Sequence, residues 1–328
     1  MDTIKLATIG SGAIVHWFLN GVKVTEGISL EAVFSRSAEK GRLLAEEYGA
    51  SKVYTELDAM LRDPQVNFVY VASPNSLHYS QTKAALLAGK NVICEKPFCT
   101  KASQARELIS IARERKLFLV DAVPTAFLPN FEILKEQLPK IGRLRLVICN
   151  YTQYSSRYDL LLKGKITNVF DPNFAGGCLQ DINFYNVYLN IALFGKPLEV
   201  KYYPNMASTG VDTSGVLMMR YPGFVSTNAG SKDAHGESMV QIEGEKGFIS
   251  IRGGSNGIAQ VRVVTGTFDE TFNAQEHSDR WVYEVQNMTP LLLSGDFDAI
   301  YKRLDTMVSV IETIENARVD AGIRFPGD

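Results

Sequence analysis

Asp181 and Tyr185 stand four residues apart in a segment with helical spacing, residues 177–194, so both side chains project from one face of the predicted helix. A phenol with an ordinary pKa of about 10 is a poor base at neutral pH, but a nearby ammonium stabilises the phenolate and permits proton exchange with a hydroxyl. Lys96, in the segment 95–97, is the candidate for that ammonium. The alternatives are a core tyrosine, an aspartate that only pairs with a basic residue or caps backbone, and a solvated lysine.

A glycine-rich turn follows the first apolar run, residues 4–9. Gly10 can adopt the backbone angles of a tight turn, and Gly12 lacks a Cβ that would keep the main chain away from a phosphate at a helix N-terminus. Val15 occupies the place of the third small residue of the dinucleotide-binding pattern. The turn therefore predicts a pyrophosphate site, and the alternative is an ordinary strand-to-helix turn.

Short β-rich runs alternate with amphipathic helical patterns over the first part of the chain. Strands are predicted near 4–9, 30–35, 67–72, 91–94 and 117–121, and helices over 37–48, 76–88 and 101–115. This alternation is typical of a doubly wound parallel sheet with helices on both faces. We therefore expect an α/β protein in which residues 1–122 form a Rossmann domain that binds a dinucleotide.

The pattern changes after Pro124, where closely spaced β-rich runs predict a large, open and mostly antiparallel sheet in an α+β domain, residues 123–328. The predicted strands lie at 143–154, 198–204, 213–221, 224–230, 238–243, 247–251 and 258–264, and the predicted helices at 130–138, 177–194 and 297–318. The final helix could pack back toward the first domain. Residues 155–175 and 265–280 are expected to be long loops, which often shape a site.

Composition limits the classes of partner. A net charge of −2 with 21% charged residues gives no electrostatic reason to expect nucleic acid or an anionic membrane. No stretch approaches 18 uninterrupted apolar residues, and the start of the chain does not resemble a signal peptide, so a cytoplasmic protein is expected. The four cysteines lack metal-ligand spacing, which predicts free thiols with no disulfide and no bound metal.

The chain resembles the glucose-fructose oxidoreductase/inositol dehydrogenase (Gfo/Idh/MocA) family through motifs in a fixed order. They are Gly10-Ser11-Gly12-Ala13-Ile14, Ser35-Arg36-Ser37, Pro74-Asn75-Ser76-Leu77-His78 and Glu95-Lys96-Pro97. The segment 171–185, which contains Gly-Gly-Cys-Leu-Gln-Asp and ends at Tyr185, is similar to the start of the active-site helix in members that use tyrosine. Dimeric dihydrodiol dehydrogenases and glucose-fructose oxidoreductase belong to that branch.

The resemblance implies a role for each matching residue. Lys96, Tyr185 and Asp181 would be catalytic, with Lys96 between a nicotinamide ring and the substrate hydroxyl. The residues implied in cofactor binding are Gly10, Gly12, Ala13, Ile14, Ser35, Arg36, Ala72, Pro74, Asn75, His78, Glu95, Lys96 and Pro97. His78 could equally be a structural residue at a helix start. The family also implies a homodimer or a dimer of dimers, in which the open sheet packs on a second subunit.

The end of the second strand bears on the choice of cofactor, because an acidic residue there binds the ribose of NAD and a basic one suits the 2′-phosphate of NADP. Ser35 can donate from its hydroxyl and Arg36 supplies a cation, whereas Glu31 lies at the start of the strand and should point away. NADP is therefore favoured, with NAD as the alternative.

The expected reaction is hydride transfer between nicotinamide C4 and a secondary alcohol or ketone of a sugar, cyclitol or related diol. A trans-dihydrodiol or xylose dehydrogenase would differ in substrate only, and a dinucleotide-sensing regulator without catalysis is the alternative from another class. Ala126, Asn168 and Asn183 depart from the tyrosine branch, so the substrate cannot be copied from it. Position in loops makes five further residues pocket candidates: Tyr151, Tyr154, Arg157, Tyr158 and Asn173.

Overall fold

The computed structural model describes residues 3–328, which fall into two compact units. The first unit comprises Met1–Phe127 and His277–Val308, and the second comprises Leu128–Glu276 and Ser309–Asp328. A long helix, α11 (Phe297–Asp320), has residues in both. Its apolar stripe is buried, as its helical spacing predicts.

The first unit is built on a six-stranded parallel sheet. Its strands are β1 (Ile4–Ile9), β2 (Ile28–Phe34), β3 (Lys52–Tyr54), β4 (Phe68–Val71), β5 (Asn91–Glu95) and β6 (Leu119–Ala122). Its helices are α1 (Ala13–Lys23), α2 (Ala38–Tyr48), α3 (Leu57–Leu61), α4 (Asn75–Leu87), α5 (Ala102–Arg115) and α10 (Arg280–Ser294), with a short 3₁₀ helix at Pro124–Phe127. The strand order β3-β2-β1-β4-β5-β6 is that of a doubly wound dinucleotide-binding sheet, which confirms the predicted fold class.

The central strand β4 consists of large hydrophobic and aromatic residues because it is buried on both faces. Every residue of β4 is fully buried, because β1 and β5 flank it and helices cover both faces of the sheet. The three-residue strand β3 was not predicted, since it is short and only half-buried. Helix α10 was not predicted either, because Pro290 interrupts its pattern. It packs against α1 at Gly21, where a Cβ would come within 2.8 Å of the Trp281 carbonyl oxygen.

The second unit carries an eight-stranded sheet in the order β14-β13-β12-β11-β7-β10-β9-β8, antiparallel throughout except for the parallel pair β7 and β10. Its strands are β7 (Leu144–Thr152), β8 (Glu199–Met206), β9 (Asp212–Tyr221), β10 (Phe224–Ser231), β11 (Met239–Gly244), β12 (Gly247–Arg252), β13 (Gln260–Thr265) and β14 (Phe268–Phe272). Its helices are α6 (Pro129–Gln137), α7 (Ser156–Leu162), α8 (Cys178–Asp181) and α9 (Asn183–Phe194), with 3₁₀ helices at Leu138–Ile141, Asn168–Phe170 and Pro172–Phe174. The large, mostly antiparallel sheet is thus confirmed.

Helix α9 is joined to one face of this sheet by buried amides. Asn183 donates to the Asn228 carbonyl oxygen at 3.0 Å, and its own side-chain oxygen accepts from Asn186 at 2.9 Å. Asn190 donates to the Asn228 side chain at 2.8 Å. All four asparagines are buried, so their paired amides fix the position of α9 against the sheet.

Two expectations about loops were wrong. The segment 155–175 contains α7, whose start is capped by Ser155, and the segment 265–280 contains the edge strand β14. The three central residues of strand β14 are polar and exposed, so it lacks the alternation by which a half-buried strand is recognised. Within residues 3–328, no helix combines the length and the apolar character needed to cross a membrane.

Candidate functional site

The turn after β1 has the geometry that a bound phosphate requires. Gly10 has a φ of +119°, and a Cβ there would lie 2.5 Å from the Ala72 carbonyl oxygen, so only glycine fits. Gly12 has an ordinary φ of −84° and precedes the first turn of α1. Among residues 3–328, and apart from Gly12 and its two neighbours in the chain, no atom lies within 4 Å of the place that its Cβ would take. The space beside Gly12 at the helix N-terminus is therefore open, as a cradle for a diphosphate must be.

These two glycines predict different mutational effects. Gly12→Ala should leave the melting temperature unchanged and weaken dinucleotide binding by about ten-fold or more, because its methyl would project into the phosphate space. Gly10→Ala should lower the melting temperature, since it combines a strained φ with a backbone clash. Calorimetric titration with NADP⁺ and thermal unfolding measure both effects. Unchanged affinity in a folded Gly12→Ala protein would contradict this assignment.

The other residues implied in cofactor binding follow neighbouring strands of the same sheet. Ser35 and Arg36 come after β2, Ala72 after β4, and Lys96 directly after β5. Since these strands are parallel and adjacent to β1 or β4, their carboxyl ends form one edge, where open α/β sheets bind ligands. Lys96 is half-buried at that edge.

His78 is buried between two loops at this edge of the sheet. Its Nδ1 lies 2.9 Å from the Pro97 carbonyl oxygen and its Nε2 lies 2.8 Å from the Ser73 carbonyl oxygen. Burial lowers the pKa of the ring, which favours a neutral imidazole with one N–H to donate. The neutral ring donates to one of these two carbonyl oxygens and lies against the other, so it packs between the loop after β4 and the loop after β5. This supports the structural interpretation, while contact of His78 with a cofactor stays a prediction.

The end of β2 lacks an acidic side chain for ribose hydroxyls. Ser35 is buried, and its Oγ accepts from the Ser37 amide at 3.3 Å, while Arg36 is exposed. Glu31 is already engaged, because it accepts from the Ser51 hydroxyl at 3.0 Å and pairs with Lys52 at 3.6 Å. The available side chains thus suit a phosphate better than a free ribose.

Three acidic residues, Glu95, Asp121 and Glu284, form a buried cluster next to Lys96. The sequence analysis did not predict this cluster. Tyr70 donates to Glu95 Oε1 at 2.6 Å. Burial raises the pKa of Glu95 to about 7 and that of Asp121 to about 6, and burial together with Glu95 raises the pKa of Glu284 well above its ordinary range. The Glu95 side chain is thus directed into the first unit, although its neighbour Lys96 lies at the ligand edge.

The acidic cluster predicts how stability depends on pH. Because the folded-state pKa values are raised, the unfolded chain loses these protons first, so stability falls as pH rises from about 4 through 7. Arg280 and Arg303 oppose this by attracting the carboxylates. Glu284→Gln should therefore raise the melting temperature at pH 8 by about 2–4 °C and leave it nearly unchanged at pH 5. Thermal unfolding at both pH values measures this.

The matched control for that prediction replaces an exposed glutamate of the same unit by glutamine. Glu114 lies on the surface of α5, where it accepts from the Ser110 hydroxyl at 2.8 Å. Glu114→Gln should change the melting temperature equally at both pH values. An equal change in Glu284→Gln would mean that Glu284 does not carry the pH dependence.

In the second unit, two glycines shape the segment that precedes α8. A Cβ on Gly176 would lie 2.5 Å from the Val169 carbonyl oxygen, and Gly177 has a φ of +119°. The Asp212 carboxylate lies directly against Gly177 and accepts from the Leu179 amide at 2.6 Å. The glycines therefore let the chain approach Asp212 closely, and Asp212 fixes the start of the segment that carries Asp181 and Tyr185.

Tyr185 is held between aromatic rings near the start of α9. It is 3% exposed, and its ring makes edge contacts with Tyr151 and Phe184, each at a centroid distance of 5.8 Å. Tyr151 in turn accepts from the Asn256 amide at 2.7 Å. The ring position is thus fixed by packing, as a group that exchanges a proton requires.

Asp181 is paired with Lys232, a buried lysine directly after β10, through its Oδ2. Pairing with a basic residue was one alternative for Asp181 from the sequence, and the Asp181 side chain remains 36% exposed. Lys232 itself was not predicted, because its partner lies 51 residues away in the chain.

The departures from the tyrosine branch lie in different surroundings. Asn183 is fully buried in the amide network under α9, so its side chain serves packing and does not line a site. Ala126 is buried in a 3₁₀ helix of the first unit, and Asn168 is exposed in the second.

Among the pocket candidates, Tyr154 stacks on His235 at 4.5 Å, and its hydroxyl donates to Asp159 at 2.7 Å. Tyr158 packs edge-on against Tyr154 at 6.1 Å. Asn173 donates from its backbone amide to the capping carboxylate of Asp171 at 2.8 Å, while Arg157 is exposed on α7. Within residues 3–328, no three His, Cys, Asp or Glu side chains cluster so that they could hold a metal ion. All four cysteines are free and buried.

Two family models match the chain. The model described as "Oxidoreductase family, NAD-binding Rossmann fold" matches residues 4–121, and the model described as "GFO/IDH/MocA C-terminal domain" matches residues 137–250. Among solved structures, the 3-ketoreductase KijD10 from Actinomadura kijaniata, in complex with NADP and TDP-benzene, superimposes with a TM-score of 0.86 at 22% identity and covers 97% of each chain. At that identity, the likeness is one of fold.

Curated relatives match this chain over nearly its whole length. The uncharacterized oxidoreductase YgjR of Escherichia coli (strain K12) is 35% identical over 99% of this chain and 98% of its own. The scyllo-inositol 2-dehydrogenase (NADP(+)) IolU of Bacillus subtilis (strain 168) is 33% identical over 99% of both, and the trans-1,2-dihydrobenzene-1,2-diol dehydrogenase of Mus musculus is 27% identical over 90% of both. Together with the glycine turn, the sheet order and both family models, these similarities establish that the chain belongs to the Gfo/Idh/MocA oxidoreductase family.

Proposed function

We propose that this chain is an NADP-dependent oxidoreductase that transfers a hydride between nicotinamide C4 and a secondary alcohol or ketone of a cyclitol, sugar or related diol. The observation that carries the proposal is the placement of Lys96 on the same sheet edge as the open glycine turn. A cation at the carboxyl end of β5 can act on the oxygen of a molecule bound at that edge.

The proposed cofactor is held by the residues after β1, β2, β4 and β5. The diphosphate lies on the glycine turn, and Arg36 faces the 2′-phosphate, where Ser35 supplies a hydroxyl. NAD is the alternative cofactor. When bound, the nicotinamide supplies a hydride acceptor or donor, which no side chain of this protein provides.

Two side chains handle the substrate oxygen in this proposal. In alcohol oxidation, the Tyr185 phenolate oxygen accepts the hydroxyl proton while the carbon gives up its hydride, and in reduction the phenol returns the proton to the oxygen. The Lys96 ammonium stabilises the negative charge that develops on the same oxygen. Asp181 orients the substrate through a hydrogen bond to one of its hydroxyl groups.

Support for a cyclitol or another polyol comes from similar curated proteins. A relative 33% identical over 99% of both chains is named as an NADP⁺-dependent scyllo-inositol dehydrogenase. A D-xylose 1-dehydrogenase (NADP(+)) of Hypocrea jecorina, 27% identical over 99% of this chain and 93% of its own, and the dihydrodiol dehydrogenases widen the range to sugars and diols. The free, buried cysteines are typical of a reducing compartment, so we place the enzyme in the cytoplasm.

A panel of inositols, aldoses and trans-diols, assayed with NADP⁺ and with NAD⁺ by NADPH or NADH absorbance, tests the proposal. We expect turnover of at least one cyclitol or sugar, with kcat/KM about ten-fold or more higher for NADP⁺. Tight NADP⁺ binding without turnover of any member of the panel would contradict the proposal and favour a dinucleotide-sensing regulator.

We also propose that the sheet face opposite α9 packs against a second copy of the chain. On this face, Tyr203 is paired with Val216 and Lys201 with Met218 across β8 and β9, and Tyr203, Val216 and Met218 are 59%, 40% and 41% exposed. Adjacent exposed apolar side chains on a regular sheet are typical of a subunit interface. The resulting assembly is a homodimer or a dimer of dimers.

This interface predicts that Met218→Asp shifts the protein to monomers, because two copies of the new charge would be buried without partners. Light scattering after size-exclusion chromatography measures the mass. Leu162→Asp on α7 is the control, since Leu162 is exposed and lies outside the sheet. A Met218→Asp protein with the mass of wild type, or a monomeric wild type, would contradict the proposed interface.

A further inference from the structure

Lys232 is a buried lysine whose backbone is fixed from both sides. It is 5% exposed and directly follows β10. Its amide donates to the Thr213 carbonyl oxygen at 2.9 Å, and its carbonyl oxygen accepts from the Ser155 amide at 2.9 Å. A long, flexible side chain is thus held at its base, in a place where an unpaired ammonium would be costly.

The carboxylates around Lys232 differ in what they do. Asp212 accepts from the Leu179 amide and the Tyr202 hydroxyl, each at 2.6 Å. Asp233 accepts from the hydroxyls of Thr213, Ser214 and Ser231 at distances between 2.5 and 3.0 Å. Both therefore serve the local backbone and hydroxyl groups.

Asp181 differs from these two carboxylates, because it is bound directly by the Lys232 ammonium and still keeps a solvent-accessible side. It lies one helical turn before Tyr185, at the end of α8. The Lys232 side chain is 7% exposed and that of Asp181 is 36% exposed, so one partner of the ion pair lies in the interior and the other reaches the surface of the unit. This arrangement holds the carboxylate at a set position near the tyrosine.

We propose that Lys232 is a positioning residue, which rests on the proposed oxidoreductase function. Lys232 holds the Asp181 carboxylate in one orientation, so that it accepts a hydrogen bond from a hydroxyl of the substrate. Lys232 acts through Asp181 and touches neither substrate nor cofactor. A pair kept only for stability could be replaced by apolar side chains without loss of function, because buried ion pairs contribute little net stability.

The test combines kinetics with a double-mutant cycle in Lys232→Met, Asp181→Asn and the double variant, using the substrate with the highest turnover. In Lys232→Met, we expect kcat/KM for the substrate to fall by about ten-fold or more, while the dissociation constant of NADP⁺ changes by less than about two-fold. The double variant should be no worse than Asp181→Asn alone, since Lys232 acts through Asp181. Lys232→Arg, which keeps the charge, should recover most of the activity.

Lys90→Met is the matched control for the loss of a buried lysine. Lys90 is 8% exposed and donates to the Asp63 and Val66 carbonyl oxygens in the first unit, each at 2.7 Å. It should lower the melting temperature and leave kcat/KM within about two-fold of wild type. If Lys232→Met does not fold, the comparison of Asp181→Asn with the double variant and with Lys232→Arg decides the question.

Three outcomes would overturn this inference alone, and a fourth would overturn it together with the proposed function. Wild-type kcat/KM in folded Lys232→Met, losses that multiply in the double variant, or no recovery in Lys232→Arg would each show that Lys232 does not position Asp181, while the proposed function stands. Absence of turnover in the wild-type protein overturns both proposals, so the two failures are distinguishable.

Discussion

Tyr185→Phe should reduce kcat by about 10²- to 10⁴-fold, the range for loss of a general acid–base group, and leave NADP⁺ affinity within about two-fold of wild type. The change removes only the phenolic oxygen, which in our account accepts and returns the proton of the substrate. The ring keeps its contacts with Tyr151 and Phe184, so the fold should persist. Steady-state kinetics and calorimetric titration with NADP⁺ measure the two quantities.

Tyr188→Phe is the matched control, because Tyr188 lies on the same helix, is equally buried at 3% exposure and stacks on Phe184. It should retain kcat within about three-fold, because no proton transfer is assigned to it. If Tyr185→Phe turns over at the rate of Tyr188→Phe, the hydroxyl of Tyr185 is not the proton-exchanging group.

Lys96→Ala should reduce kcat/KM by about 10²- to 10³-fold, the cost of removing one charge that stabilises a developing oxyanion. The backbone at Lys96 is held by strand β5, which ends at Glu95. Loss of the Lys96 side chain should therefore leave the sheet edge in place. Addition of a small alkylammonium ion should restore part of the activity, since the vacated space can admit a cation. Kinetics with and without methylammonium measure this rescue.

The control for Lys96→Ala is Lys101→Ala, five residues further along and before the first residue of α5. Its kcat/KM should stay within about three-fold of wild type, and methylammonium should have no effect on it. An inactive Lys96→Ala protein that binds NADP⁺ normally but shows no rescue by any ammonium ion would contradict the assigned role of its charge.

Sequence patterns predicted most of the fold because hydrophobic periodicity reports burial directly. The run that forms β4 is apolar at every position, as a central parallel strand must be, and the glycine turn lies where β1 ends. The family resemblance is confirmed by both family models, and the preference for NADP agrees with the names of two relatives. Elements at sheet edges, such as β3 and β14, were missed because they bury too little to show alternation.

Side-chain pairing was much less predictable than the fold. A single sequence shows which residues are charged but not which distant residues they meet, so the contact between Lys232 and Asp181 could not be foreseen. Glutamate usually lies on the exposed face of a helix, yet Glu284 is fully buried beside Glu95. The polar Asn183, one of the departures from the tyrosine branch, is directed into the amide network because α9 turns that face toward β10.

The most direct test of the account follows one atom from substrate to cofactor. The protein would be incubated with NADP⁺ and a polyol substrate carrying deuterium on its alcohol carbons, and the NADPH formed would be analysed by mass spectrometry. We predict NADPH that carries one deuterium at C4 and a substrate that has become a ketone or lactone. Reduced cofactor without the label, or no reduced cofactor although NADP⁺ binds, would contradict hydride transfer as the function of this protein.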